Sequence, residues 1–193
     1  MDQWRPNADE RCFDIQSSDR PVDLTEIAQS SYAERAQQLS DILKQTPLGR
    51  SILETIKSSE AATCYDDIET GKSGYYTFRH HALVVKDDQE ALQSQMDDDL
   101  IRLDEALILV HEFRHMWQSR NNLYAGSKYT PDDMVIIGKL LEADASAFMS
   151  EFAYQLEQQG YPVEDVLNRR FEGQIYQAYK ASVQEDPDNQ LNG

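Results

Sequence analysis

The sequence predicts an α+β protein, mainly helical, with a small antiparallel sheet or hairpin. Apolar residues recur with a period near 3.6 in the first third and again in the second half of the chain, which is typical of amphipathic helices. Between these regions lie short segments rich in β-branched and aromatic residues, which favour strands. With 193 residues, of which 40% are hydrophobic, the chain can bury one core.

Two helices are expected before the strands. Ser31 and Glu34 have the spacing of a capping box, so a helix should begin there. Its apolar face would consist of Tyr32, Ala36, Leu39, Ile42 and Leu43. Thr46-Pro47 predicts a second start, because proline suits the first helical position. The apolar residues of that helix are Leu48, Ile52, Leu53 and Ile56.

Three strands are expected at residues 62–65, 74–78 and 82–85, and residues 71–74 supply a turn between the first two. Helices resume after Asp97, and the first should end near Asn121-Asn122. Thr130-Pro131 predicts another helix towards Gly160, and a last helix should cover residues 162–181. The helix after Thr130 has two apolar stripes, and this predicts a central position in the fold. One stripe consists of Ile136, Leu140, Ala143 and Ala147, and the other of Leu141, Ala145, Phe148 and Phe152.

One domain is expected at residues 23–183, between an N-terminal arm at 1–22 and an acidic tail at 184–193. The net charge of −17 argues against nucleic-acid binding and is compatible with a basic peptide partner. No apolar run is long enough for a membrane helix. Cys12 and Cys64 could form one bridge, but without a visible secretory signal reduced thiols are the preferred interpretation, and the protein is expected to be cytoplasmic. The oligomeric state stays open.

The strongest functional signal is the sequence His111-Glu112-Phe113-Arg114-His115, an HExxH motif within a predicted helix. Two histidines four positions apart lie on one helix face, where both imidazoles can reach one zinc ion. Glu112 can then act as the base that takes a proton from a zinc-activated water. The motif is flanked by apolar residues on both sides, and buried imidazoles need polar partners. These residues predict a zinc-dependent hydrolase.

A catalytic zinc also needs a third protein ligand, for which the sequence offers three kinds of candidate. Glu142 is preferred, because it lies on the next predicted helix, within an otherwise apolar segment that runs back beside the motif. Asp144 is the rival on the same helix, but two positions away it faces nearly the opposite side. His80 and His81, at the end of a predicted strand, are the remaining alternatives, and an exposed turn is the preferred interpretation for both.

The HExxH motif followed by Glu142-x-x-Ala145 resembles the pattern of gluzincin-type zinc metallopeptidases, and is similar to small bacterial metallopeptidases. The resemblance spans about residues 75–155. It implies a zincin-like pair of active-site helices, with Glu142 as third ligand and residues 82–85 as an edge strand that binds an extended peptide. Larger gluzincins often have an aspartate four residues after the ligand glutamate, where this chain has Ser146, so the partner that orients the ligands stays unassigned.

Other roles are left open by the sequence. Tyr124, Tyr129 and Tyr154 are candidate donors to the oxyanion, although packing is the preferred interpretation for each. A structural ion pair is expected for Arg114. The main function predicted is a peptidase acting on a peptide or protein, and the alternatives are a hydrolase with another substrate and a non-catalytic acidic helical interaction protein with at most a structural metal.

Overall fold

The computed structural model describes residues 12–13, 31–66, 73–78, 81–86, 97–123, 129–169 and 172–185. These residues form an α+β fold that is mainly helical with one small sheet, as predicted. The strands are β1 (Cys12–Phe13), β2 (Ala62–Asp66), β3 (Gly74–Thr77) and β4 (Ala82–Lys86). The helices are α1 (Ser31–Lys44), α2 (Pro47–Ser59), α3 (Asp98–Arg120), α4 (Pro131–Glu157), α5 (Val163–Leu167) and α6 (Glu172–Glu185).

The helix starts follow the local chemistry of the sequence. At α2, the Thr46 hydroxyl accepts a hydrogen bond of 2.9 Å from the backbone N–H of Gly49, and Pro47 follows as the first helical residue. At α4, Thr130 and Asp133 cap each other's backbone N–H groups in a capping box. Because these bonds satisfy groups that the helix leaves unpaired, both starts could be predicted from the sequence.

The sheet is mixed, and the prediction of an antiparallel sheet or hairpin is wrong in part. Its strand order is β1-β2-β4-β3. β3 and β4 do form an antiparallel pair, but β2 pairs with β4 in parallel. β4 is therefore an interior strand and not the predicted edge, and its first four residues are all buried. A continuous apolar run is typical of strands covered on both faces. The turn expected at residues 71–74 lies partly outside the described residues and does not join neighbouring strands.

The N-terminal strand corrects the expectation of reduced thiols. Cys64 on β2 is disulfide-bonded, and no free cysteine is present in the described residues. β1 places Cys12, the only other cysteine of the sequence, directly opposite Cys64 in the antiparallel register. Directly opposed strand positions bring two cysteines to bonding distance, which the sequence alone could not indicate.

The motif helix α3 lies at the centre of the fold. It packs between the sheet, through β3 and β4, and the helices α1, α2, α4 and α5. Between residues 103 and 110 every side chain of α3 is buried. The apolar residues of this stretch belong to a core that also includes Leu39 of α1, Ile52 of α2, Leu83 of β4 and Phe152 of α4. Because packing holds it on nearly all sides, α3 is a rigid platform for the residues at its middle.

The two apolar stripes of α4 differ in environment. Leu141, Ala145 and Phe152 are buried as predicted, and Phe148 is partly buried. In contrast, Ile136 is 57% exposed and Leu140 is 64% exposed, so a central position is wrong for the first half of this helix. The reason is that α3 covers one face of α4, whereas no described element covers the other face in the first three turns.

The predicted last helix is divided into α5 and α6, which is a second correction. The chain turns after Leu167, and Gly173 at the start of α6 comes so close to Leu167 that a Cβ there would lie 2.9 Å from its carbonyl oxygen. That contact forms only in the folded chain, so the hydrophobic periodicity of the sequence could not indicate a break between the two helices. Among the described helices, none combines the length and the apolar character that crossing a bilayer requires.

Candidate metal centre

The two histidines of the HExxH motif lie one turn apart on α3 and face each other. Their ring centroids are 4.8 Å apart, and the two Nε2 atoms are separated by 3.1 Å. Both side chains are largely shielded from solvent, with 16% of His111 and 11% of His115 exposed. Since both rings present the same nitrogen to one point, the helix spacing produces the convergent pair that the sequence predicts.

Glu142 on α4 reaches this point from the other side. Its Oε2 lies 3.3 Å from Nε2 of His111, and its Oε1 lies 3.4 Å from Nε2 of His115. In contrast to the two rings, the Glu142 side chain is 67% exposed, so the group opens to solvent on the α4 side. The three residues form the one potential metal-binding group of histidine, cysteine or acidic residues found in the described part of the chain.

The spacing of these atoms fits a small tetrahedral cation. Bonds of about 2.0–2.1 Å to nitrogen and oxygen in tetrahedral geometry separate neighbouring ligand atoms by about 3.3–3.4 Å. The three separations among the two imidazoles and the carboxylate are 3.1, 3.3 and 3.4 Å. Two imidazoles with one carboxylate are a donor set that suits zinc, and the exposed side leaves room for a fourth ligand.

The electrostatics of His111 favour the metal-binding form of its ring. Burial lowers the pKa of His111, and the neighbouring His115 lowers it further, whereas Glu142 and Glu172 act in the opposite direction. A lowered pKa keeps the imidazole neutral, as a metal ligand must be. Glu172, the first residue of α6, is close enough to act on this ring, and no local feature of the sequence indicated that proximity.

A hydrogen-bond network extends from His115 into the interface between α3 and α4. Nδ1 of His115 lies 2.8 Å from Oε1 of Gln118. The amide nitrogen of Gln118 donates to the backbone oxygen of Leu141 at 2.9 Å and to a carboxylate oxygen of Asp144 at 2.7 Å. Gln118 is fully buried. Its only signal in the sequence is a polar residue one turn after His115 in an apolar setting.

Asp144, the rival ligand, faces away from the two imidazoles and forms an ion pair instead. Arg114 donates to both of its carboxylate oxygens, at 2.7 and 3.0 Å. This hydrogen bonding lowers the pKa of Asp144, which keeps the carboxylate charged. The guanidinium carbon of Arg114 also lies 4.2 Å from the ring centre of Trp117. The structural ion pair expected for Arg114 is therefore present, with Asp144 as its partner.

Glu112 follows the first histidine and points towards the sheet. The residue is 7% exposed. A Cβ atom placed on Gly74 of β3 would lie 3.1 Å from Cγ of Glu112. The absence of a side chain at Gly74 thus allows β3 to pass directly over the carboxylate. Glu112 therefore lies against one face of β3, which is the outermost of the described strands on this side of the sheet.

The remaining candidates do not join the group. His81 bonds instead to the Tyr76 hydroxyl at 2.9 Å and to the backbone oxygen of Ser59 at 2.7 Å, and His80 lies outside the described residues. Tyr154 packs against Tyr179, and twelve helical residues beyond Glu142 it is about 18 Å along the axis. Tyr129 is 47% exposed, and Tyr124 lies outside the described residues. Ser146 is buried, and its backbone oxygen accepts from Ser150.

Comparison with known proteins places the chain in a family. No curated protein and no solved structure matches the sequence. A family described as "Putative metallopeptidase family (DUF6782)" matches residues 16–192, which is nearly the whole chain and includes all four residues of the candidate centre. The chain belongs to this metallopeptidase family.

Proposed function

We propose that the protein is a zinc-dependent peptidase in which His111, His115 and Glu142 bind the metal and Glu112 is the general base. The observation that carries this proposal is the agreement between the three ligand separations of 3.1–3.4 Å and the edge of a tetrahedral zinc site. Membership in a metallopeptidase family supports a metal and a peptide substrate, but specifies neither zinc nor the ligands.

The chemistry follows from the positions of the side chains. A zinc ion held by His111, His115 and Glu142 would supply Lewis acidity, which lowers the pKa of water to about 7 and favours attack on a carbonyl group. Glu112 accepts the proton as the water oxygen attacks the carbonyl carbon. Its carboxyl group then gives this proton to the amine nitrogen as the carbon–nitrogen bond breaks, which regenerates the carboxylate. Burial keeps Glu112 apart from bulk water, so the proton moves between defined atoms.

The substrate proposed is an extended peptide that pairs with β3. Residues 82–85 were the edge expected from the sequence, but β4 is an interior strand, and among the described strands β3 has the outer edge on this side. An extended peptide added to β3 would make main-chain hydrogen bonds and pass beside Glu112. Because the chain has a net charge of −17, basic peptides should associate faster than acidic ones.

Metal content tests the first half of the proposal. About one zinc per chain should remain after purification, since the donor set forms one site. His115→Ala should abolish binding, because two remaining ligands hold zinc poorly. His81→Ala is the matched control, as this histidine bonds to Tyr76 and Ser59 and should leave zinc content unchanged. Zinc that survives His115→Ala would refute the ligand assignment.

Turnover tests the second half. Wild type and Glu112→Gln should be compared on a library of basic and acidic peptides, with cleavage products identified by mass spectrometry. Glu112→Gln should bind zinc normally and lose at least a hundredfold in kcat, as general-base catalysis contributes about 10²–10⁴-fold. If both proteins bind zinc and neither cleaves any peptide, the non-catalytic interaction protein or a hydrolase of another substrate class replaces the peptidase proposal.

A further inference from the structure

We infer that Gln118 is a positioning residue that fixes the ring of His115 for metal binding, through a network that continues to Asp144 and Arg114. This inference rests on the proposed function, because His115 is a metal ligand only within it. The alternative is that Gln118 only joins α3 to α4. A positioning role depends on the amide oxygen, which faces His115. A role in joining the two helices depends only on the amide nitrogen, which faces α4.

The orientation of the Gln118 amide follows from its neighbours. The backbone oxygen of Leu141 and the carboxylate of Asp144 can only accept hydrogen bonds, and both lie within 2.9 Å of the same amide atom. That atom must be the nitrogen, whose two hydrogens are then both used. The other amide atom, which faces His115, must be the oxygen. The orientation of the Gln118 amide group is therefore fixed by residues on α4.

The tautomer of His115 follows in turn. A carbonyl oxygen 2.8 Å from Nδ1 can only accept, so Nδ1 carries the hydrogen. Nε2 is then left with its lone pair, and this is the atom directed towards His111 and Glu142. A hydrogen bond to the non-coordinating nitrogen commonly fixes tautomer and ring orientation at metal sites. Gln118 fits that role because it is fully buried and cannot exchange the bond for water.

Arg114 and Asp144 explain why the residue is an amide. Glutamate at position 118 could accept from His115, but it would place a second carboxylate against Asp144 and leave the Leu141 oxygen without a donor. Glutamine both accepts from the ring and donates to two oxygens on α4. Asp144 is in turn held by two hydrogen bonds from Arg114, so the network ends in a charged pair that is partly exposed to solvent. Arg114 lies between the two histidines in sequence, and its side chain points to a neighbouring face of the helix.

The first experiment needs no metal, and its main readout comes from the wild-type protein. Nitrogen NMR of the metal-free wild-type protein, at alkaline pH where imidazole is neutral, reports which ring nitrogen carries hydrogen. The inference requires Nδ1–H. Gln118→Met, which keeps the volume and removes the amide, should redistribute the ring over both tautomers, whereas Gln118→Glu should retain Nδ1–H. A wild-type ring protonated at Nε2 would overturn the inference.

The second experiment measures zinc affinity by competition with a chelator, together with the Tm of the metal-free proteins. Gln118→Met should weaken zinc binding about 10–100-fold. Gln155→Met is the matched control, since it removes another glutamine that links elements but lies away from the centre, and it should change Tm without changing zinc affinity. If Gln118→Met binds zinc as tightly as wild type, Gln118 has only a structural role and the proposed function still stands. If wild type binds no zinc, the proposed function itself fails.

Discussion

Gly74 on β3 lies against the proposed base, Glu112, so Gly74→Ala should affect both stability and catalysis. The added Cβ would lie 2.6 Å from Cγ2 of Ile108 and 2.8 Å from the backbone oxygen of Val84. Carbon atoms in contact prefer about 3.5–4.0 Å, so roughly 1 Å must be recovered by moving β3 or α3. Overpacking of this kind costs about 1–3 kcal/mol.

For a chain of this length, each kcal/mol lowers Tm by about 2–4 °C, so thermal unfolding should shift down by about 2–12 °C. The same movement displaces Glu112, whose Cγ is 3.1 Å from the new atom. Misplacement by 1 Å can reduce a rate by about a hundredfold. Peptide cleavage by Gly74→Ala should thus fall at least tenfold in kcat, while zinc content stays at the wild-type level because the three ligands are untouched.

Gly138→Ala is the control for this substitution. Gly138 lies in α4 with open space where its Cβ would be, so alanine should stabilise the helix by about 0.5–1 kcal/mol and leave cleavage unchanged. The reasoning is refuted if Gly74→Ala has the Tm and the kcat of wild type. It is also refuted if the two alanine variants behave alike, since only Gly74 lies against β4 and α3.

Three further substitutions test a buried ion pair, a buried carboxyl group and a helix cap. Glu105→Ala should cost about 3–5 kcal/mol in chemical denaturation, because it removes the buried carboxylate that pairs with the buried guanidinium of Arg35; a loss below 1 kcal/mol would contradict this. Burial raises the pKa of Glu151, so ionisation of this carboxyl group opposes folding. The free energy of unfolding of wild type should therefore fall relative to that of Glu151→Gln as the pH rises above 4.5, the ordinary pKa of glutamate. Urea unfolding at several pH values should show no such trend if Glu151 is not buried. Thr46→Ala removes the cap on Gly49 and should cost about 0.5–2 kcal/mol, whereas Thr46→Ser should restore most of it in the same assay.

The parts of the fold that the sequence could predict are those specified by neighbouring residues. Thr46-Pro47 and Thr130-Pro131 carry their own capping chemistry, and both helices begin there. The two imidazoles converge because a spacing of four follows from helix geometry. The prediction of Glu142 as a third ligand also required that α4 run back beside α3. In the structure, its carboxylate lies close to both rings.

The parts that could not be predicted depend on contacts between distant residues. The parallel pairing of β2 with β4 is set by tertiary packing, and no local turn signal reports it. The apolar run at Ala82–Val85 was itself the available clue to an interior strand. Gln118 was missed because its role depends on Leu141 and Asp144 on another helix. The exposure of Leu140 likewise depends on what covers α4, since hydrophobic periodicity alone does not say whether a stripe meets a neighbour.

Because Cys64 is disulfide-bonded, the tendency of the protein to self-associate should depend on the redox conditions under which it is made. In the described part of the chain, β1 contributes two residues to the sheet, too few to remain attached through backbone pairing alone. If the thiols stay reduced and β1 separates, β2 becomes an outer strand with unpaired N–H and C=O groups that another molecule can bind. Production in an oxidising host should therefore give material with less self-association than production in a reducing one.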